Sequence, residues 1–367
     1  MIPVRCHPIV CRFLAASSLF VGTSCSYAQA VYAPYLDVTL YPTPQIDQIG
    51  IAHGIQQFTL AFVVSDNGCV PSWGGIEPIG HGASSEMLRS LDTSIANYRA
   101  RGGEIAISFG GAGGVPLMQA CQSVPALKSA YQTVIDTYHL THLDLDIEGP
   151  PLAELSSVNR SFQAIAQLQK DYAAQGKPLH VTLTLPAMPT GLIPSGVAVL
   201  DAAIANHATL DAVNIMAMDY GSPDLDMGAS AISAAQALYS QLDTAFKSAG
   251  QPKTNAELWQ LVGVTPMIGV NDVAKETFTL DNTQSLVQSA QNNLYGFVAN
   301  WSEDRDQSCP DHATYPSPTC SGIDQAPYAF AARFTTIKGH WGKGFAPAPN
   351  YTAHPPRPRP TTMAHSD

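Results

Sequence analysis

Charge is scarce in this 367-residue chain: Asp, Glu, Lys and Arg make up 13% of it, about half the ordinary share. The 29 acids outnumber the 18 bases and give a formal net charge of −11. That balance excludes a phosphate backbone or an anionic membrane as the main partner, so neither nucleic acid nor membrane is expected. Long apolar runs are missing too. The run over residues 13–21 is too short to span a bilayer. There is no sustained heptad pattern, no internal repeat and no CxxC spacing, which excludes a coiled coil and a solenoid and makes a cysteine metal site a poor reading. What is present is enough apolar material, 45%, for a large core.

The first thirty residues read as a secretory signal. Arg5 and Arg12 precede the short apolar run, and Ala28-Gln29-Ala30 forms a small-x-small cleavage site. Cleavage after Ala30 makes the protein secreted or periplasmic. A lipid anchor at Cys25 is the alternative, but Gly22-Thr23-Ser24 lacks the large apolar residue expected before it. Removing the leader takes Cys6, Cys11 and Cys25 and leaves Cys69, Cys121, Cys309 and Cys320. An even number in an oxidising compartment predicts two disulfides, with three pairings open.

Beyond the leader, short apolar runs alternate with amphipathic stretches, the pattern of repeated βα units. Eight strands are predicted: 35–40, 58–64, 104–109, 142–147, 180–185, 212–216, 261–265 and 294–299. Between them, 84–101 places Leu88, Leu91, Ile95 and Tyr98 on one helical face and stops at Gly102-Gly103. Residues 123–138 do the same with Leu127, Tyr131, Val134, Ile135 and Tyr138, with Ser123 as N-cap. Eight strands with helices between them predict one α/β domain over 31–343, a (β/α)8 barrel; an open doubly wound sheet is the alternative. In a barrel Cys69 and Cys121 follow neighbouring strands, which favours joining them and leaves the short loop Cys309–Cys320. The Pro-rich stretch 344–367 has no apolar periodicity and is expected to be extended or disordered.

The most informative segment is Leu143-Asp144-Leu145-Asp146-Ile147-Glu148. On a strand, period two puts the three acids on one face and the aliphatics on the other. Helices outside the barrel claim the aliphatic face, so Asp144, Asp146 and Glu148 point inward, where stacked like charges push their pKa values apart. Stability requires no such arrangement. A solvated edge would not alternate with aliphatics, and a calcium loop draws its oxygens from a glycine turn. The acids are therefore candidate catalytic groups. Glu148, last on the strand where barrel catalysis occurs, suits a general acid; Asp144, the deepest, would set the charge of Asp146.

Asp144-x-Asp146-x-Glu148 resembles the DxxDxDxE signature of the family 18 glycoside hydrolases, the chitinases and their relatives. Ser108-Phe109-Gly110-Gly111 is similar to that family's SxGG motif. Met216-Ala217-Met218-Asp219-Tyr220 is similar to its MxYD segment, and Trp301 to the tryptophan that floors the −1 sugar subsite. The resemblance implies retaining, substrate-assisted cleavage of β-1,4-linked N-acetylglucosamine, in chitin or its oligosaccharides, through an oxazolinium intermediate. It implies Glu148 as acid, Asp146 on the acetamido N–H, Asp219 and Tyr220 near the acetamido oxygen and water, Trp301 stacked on the sugar, and no cofactor or metal. A monomer is expected.

Two positions depart from the pattern. Thr141 stands where the family has its first aspartate, so proton cycling would be weaker or rest on Thr141, with His142 beside it read as packed or solvated. Met218 replaces the MxYD tyrosine. Tyr220 would supply the phenol, on the same strand face two residues on. Tyr41 and Trp73 are candidates for stacking on sugar or for rim packing. Residues 186–189 and 264–269 would line the cleft, with Met188 and Met216 as packing residues. Two other functions share the barrel: an endo-β-N-acetylglucosaminidase acting on N-glycan cores, and a non-catalytic chitin-binding lectin, which Glu148 argues against.

Overall fold

The computed structural model describes residues 30–345, apart from 83, 223 and 224. The predicted leader, Ala30 excepted, and the stretch beyond Phe345 lie outside the described residues.

Every predicted strand is present. In the numbering used below, β1 is broken into Val31–Tyr32 and Tyr35–Asp37, and β2 is Gln57–Asp66, β3 Glu104–Gly110, β4 His142–Asp146, β5 His180–Met188, β6 Ala212–Ala217, β7 Val262–Pro266 and β8 Phe297–Val298. Neighbours in sequence pair in parallel from β2 through β8. The break in β1 lets one segment serve both edges. Val31 pairs with Phe297 of β8, and Ala33 N–H donates to Val298 O at 3.0 Å; beyond Pro34, Tyr35 pairs with Thr59 of β2. The sheet therefore closes into the expected barrel. Strand ends differ from expectation where the chain turns. β1 stops at Asp37 because its carboxylate accepts Thr39 N–H at 2.9 Å, and residue 294, expected in β8, instead caps helix Leu280–Asn293 at φ 61°.

Helices cover the outside because their apolar stripes match the aliphatic outer faces of the strands. Glu86–Ala100 buries Leu88, Leu91, Ile95 and Tyr98, and its cap is Ser85, one residue later than the predicted start. Val124–Tyr138 buries all five predicted residues beneath a Ser123 cap. Each such side chain contributes about 1.5–3 kcal/mol on burial. Both disulfides form as favoured, Cys69–Cys121 and Cys309–Cys320. The first ties the excursion after β2 to the segment after β3. The chain still packs on the barrel at Phe345, whose N–H and C=O both bond the Gln56 side chain.

One expectation fails here because of position along a strand, and one holds. Thr141 precedes β4 at the N-terminal end of the barrel, exposed, with its hydroxyl 2.8 Å from His142 Nδ1; it cannot relay protons to the acids further along. His142 is packed, stacked on His180 at 4.6 Å and on Trp341 at 4.3 Å. The cleft at that end, lined by His142, His180, Asp211 and Trp341, contains none of the three acids.

Candidate active site

The alternation on β4 does what its period requires. Leu143 and Leu145 are buried in the apolar core, while Asp144 and Asp146, also buried, face the barrel interior. Asp144 meets a ring of hydroxyls. Ser108 Oγ donates to its Oδ2 at 2.6 Å, Tyr35 Oη to the same oxygen at 3.0 Å, and Thr184 Oγ1 to Oδ1 at 2.6 Å. Asn214 Nδ2 donates to Thr184 Oγ1 at 3.0 Å, and Thr265 Oγ1 donates to Asn214 Oδ1 at 2.9 Å. Burial raises Asp144 to about 6, with the Ser108, Thr184 and Tyr35 hydroxyls holding it down.

Further up, Asp146 is raised well above the carboxylate range, first by burial and then by the charges of Glu148 and Asp144. Among the described residues its Oδ1, buried, has no hydrogen-bond partner. β4 ends at Asp146, two residues short of Glu148, although Ile147 N–H still bonds β5 through Thr184 O at 3.0 Å. Glu148 is half-buried at the mouth and is raised by burial and by Asp219. Across the mouth Asp219 is raised chiefly by burial, while Val273 N–H on its Oδ1 at 2.9 Å lowers it.

The paired glycines have a packing reason. A Cβ on Gly110, at φ 114°, would lie 2.0 Å from Asp146 O. One on Gly111, at φ 83°, would lie 2.8 Å from the Phe62 ring. Glycine thus lets β3 close on β4 beside the acids and lets Phe62 lean over the opening. Phe62 stacks on Trp301 with centroids 5.4 Å apart, and Tyr35 meets Trp301 edge-on at 6.1 Å. Trp301 is fixed by its own N–H on Pro266 O at 2.8 Å and by Ile268 N–H on its carbonyl at 2.9 Å.

Three expectations need correction. Trp73 is fully buried on strand Val70–Trp73, with Nε1 donating to Tyr138 Oη at 2.9 Å, so it packs under the barrel rim and meets no sugar. Met188, read as packing, is 38% exposed at the end of β5. Tyr220 does not share a strand face with Met218, because β6 ends at Ala217 and Asp219 turns the chain at φ 51°. The Tyr220 phenol is nonetheless buried at this turn, and its hydroxyl has no partner among the described residues. Met216 and Met218 are half-buried there, and Tyr41 after β1 is 67% exposed. Sequence reasoning missed Tyr35, Phe62, Thr184 and Thr265. Thr184 carries a visible signal, polar residues alternating with Val and Leu on β5; Thr265, the single polar residue on β7, and the two aromatics give little or none.

No protein-family model matches the chain. It is 36% identical over 323 residues to the probable bifunctional chitinase/lysozyme of Escherichia coli (strain K12), covering 84% of this chain and 34% of that protein. It is 36% identical over 293 residues to Endochitinase 11 of Metarhizium anisopliae, covering 77% of this chain and 53% of that protein. The chain thus spans about a third and about half of the lengths of these relatives. The catalytic domain of a hyperthermophilic chitinase from Pyrococcus furiosus superposes with a TM-score of 0.73 at 31% identity, over 85% of this chain and 97% of that one. With the inward acids, the glycine pair beside them and the tryptophan over the mouth, these likenesses make the chain a member of the family 18 glycoside hydrolases, the chitinase family.

Proposed function

We propose that this protein is a secreted chitinase that cleaves β-1,4-linked N-acetylglucosamine by retaining, substrate-assisted catalysis. One observation carries the reading. Among the described residues five buried side-chain polar atoms lack a partner, and two of them are Asp146 Oδ1 and Tyr220 Oη, an acceptor and a donor at the mouth. Leaving such groups unpaired costs about 1–3 kcal/mol each. An acetamido group offers the complement of both, an N–H for Asp146 and a carbonyl oxygen for Tyr220.

In this reading Trp301 and Phe62 form the apolar floor on which the −1 sugar stacks. Glu148, whose hold on its proton burial and Asp219 strengthen, gives that proton to the glycosidic oxygen as the bond to the anomeric carbon breaks. The acetamido carbonyl oxygen attacks that carbon, forming an oxazolinium ion whose N–H Asp146 holds. Water then opens the ion as Glu148 takes back a proton, restoring the β configuration. Asp144 supports the step by sharing charge with Asp146. A cavity beside Trp301, bounded by Asp37, Asp272, Arg305 and Ser317 of the loop closed by Cys309–Cys320, leaves room for a neighbouring sugar.

The relatives support the substrate class: one is named a chitinase/lysozyme, and the Pyrococcus furiosus domain has been crystallised with chito-oligosaccharides. Two disulfides fit an oxidising, extracellular setting, and no described helix is long and apolar enough to cross a membrane. The barrel over 31–343 would act as one monomeric unit. The test is incubation with N-acetylglucosamine oligomers, with products followed by proton NMR. β-Anomeric products are expected from the native protein and none from Glu148→Gln; an α-anomer, or retained activity in the variant, sinks the mechanism.

A further inference from the structure

Between β7 and β8 the chain makes a small hairpin, Gly269–Val270 paired with Thr277–Phe278. Its tip, residues 271–276, lies against the turn that carries Asp219 and Tyr220. Three side-chain contacts join the two. Asn271 Oδ1 accepts Asp219 N–H at 3.4 Å, Asp219 Oδ1 accepts Val273 N–H at 2.9 Å, and Glu276 makes the strongest grip. Its Oε2 accepts Tyr220 N–H at 2.9 Å and its Oε1 accepts Ser222 N–H at 3.1 Å.

Glu276 is fully buried, and among the described residues no cation forms a salt bridge with it. An isolated buried carboxylate is expensive, and two charge-assisted backbone bonds are what it receives in return. Stability alone does not call for this, since a solvated loop could satisfy the same N–H groups with water. The turn it grips is itself strained, with Asp219 at φ 51°, a conformation that persists only where neighbours over-determine it. We infer that Glu276 is a positioning residue of this site: its carboxylate clamps the 219–222 turn so that Asp219 and Tyr220 meet the substrate's acetamido group. This rests on the function proposed above. A second effect follows from the same placement. Burial first and then the Glu276 charge raise the Tyr220 phenol, which keeps it protonated as a hydrogen-bond donor.

The experiment compares the native chain with Glu276→Gln and with Leu286→Ala. Leu286 is buried in helix Leu280–Asn293 and takes no part in the site, so its variant lowers stability without touching the turn. Gln keeps the shape but offers one acceptor where two are needed. Hydrogen exchange of the 218–222 segment is expected to quicken about tenfold or more in Glu276→Gln and to stay near native in Leu286→Ala. Turnover of N-acetylglucosamine oligomers per folded molecule is expected to drop about tenfold or more in Glu276→Gln, with KM within about twofold, because the turn acts on the reacting group. Unchanged exchange overturns the clamp whether or not the protein hydrolyses anything. Quickened exchange with native kcat, or a loss confined to KM, overturns the positioning role. Absence of hydrolysis in the native chain sinks the chitinase reading instead, while the exchange arm still decides whether Glu276 holds the turn.

Discussion

Asp144 has a folded-state pKa of about 6 against an ordinary 3.8, with burial as the leading cause. A carboxyl raised on folding binds its proton more tightly in the native state. Its stabilising contribution is therefore fully present below pH 3.8 and gone above pH 6. About two units at 1.36 kcal/mol each make the difference about 3 kcal/mol. Asp144→Asn removes this dependence while keeping the shape, and its amide can still exchange hydrogen bonds with Ser108, Tyr35 and Thr184 by rotating their hydroxyls. The variant also relieves Asp146, which Asp144 helps to raise, so the effect on the neighbour has the same sign. Urea unfolding of both proteins from pH 3.5 to 8 measures the point directly. Any constant packing cost cancels when the difference in unfolding free energy is followed against pH. That difference is expected to move in the variant's favour by about 3 kcal/mol between pH 4 and 7. Parallel curves, within about 1 kcal/mol, would refute the claim that Asp144 is held in a desolvated, proton-retaining site.

Gly110→Ala should cost about 3 kcal/mol or more in urea unfolding, since its Cβ would meet Asp146 O at 2.0 Å from a left-handed backbone; a loss under 1 kcal/mol would contradict that close approach. In the proposed function Trp301→Ala would remove the face meant for the sugar, so kcat/KM on N-acetylglucosamine oligomers should fall about 30- to 100-fold, equivalent to about 2–3 kcal/mol of apolar contact. Steady-state kinetics on oligomers of several lengths checks this.

The barrel was legible because its signals are local. Residues 142–147 and 180–185 alternate polar with aliphatic side chains, residues 123–138 carry a cap and a helical stripe, and each predicted strand appears where the period placed it. The acids were legible for the same reason. What sequence could not yield depends on the chain turning out of a regular element. Tyr220 was assigned a strand face that ends at Ala217, and Trp73, read as stacking on sugar or packing at the rim, lies on an antiparallel excursion that tucks it against Tyr138. Phe62 on β2 stacks on Trp301 after β8, brought together only when β1 closes the barrel between them, a contact no local period encodes. The Glu276 clamp is of the same kind, joining residues 54 and 56 positions apart across two loops.

These hidden contacts explain how a barrel tolerates acids in its interior. Asp144 is held by three hydroxyls contributed by β1, β3 and β5, so its cost is spread over strands that the fold must bring together anyway. Asp146 has no such support and keeps an unpaired oxygen beside a second carboxyl at the mouth. Polar satisfaction therefore decreases along β4 from Asp144 to Asp146, and a buried, unpaired Asp146 Oδ1 is what stability alone would not select. A site left incomplete on its accessible side is one that a ligand completes, and the missing partner for Asp146 is a hydrogen-bond donor. In the function proposed above the acetamido N–H would supply that donor without adding negative charge, whereas a carboxylate-bearing or phosphate-bearing substrate would deepen the repulsion among the carboxyl groups there. On that proposal, the unpaired oxygen that makes the strand costly would favour a neutral, amide-bearing sugar.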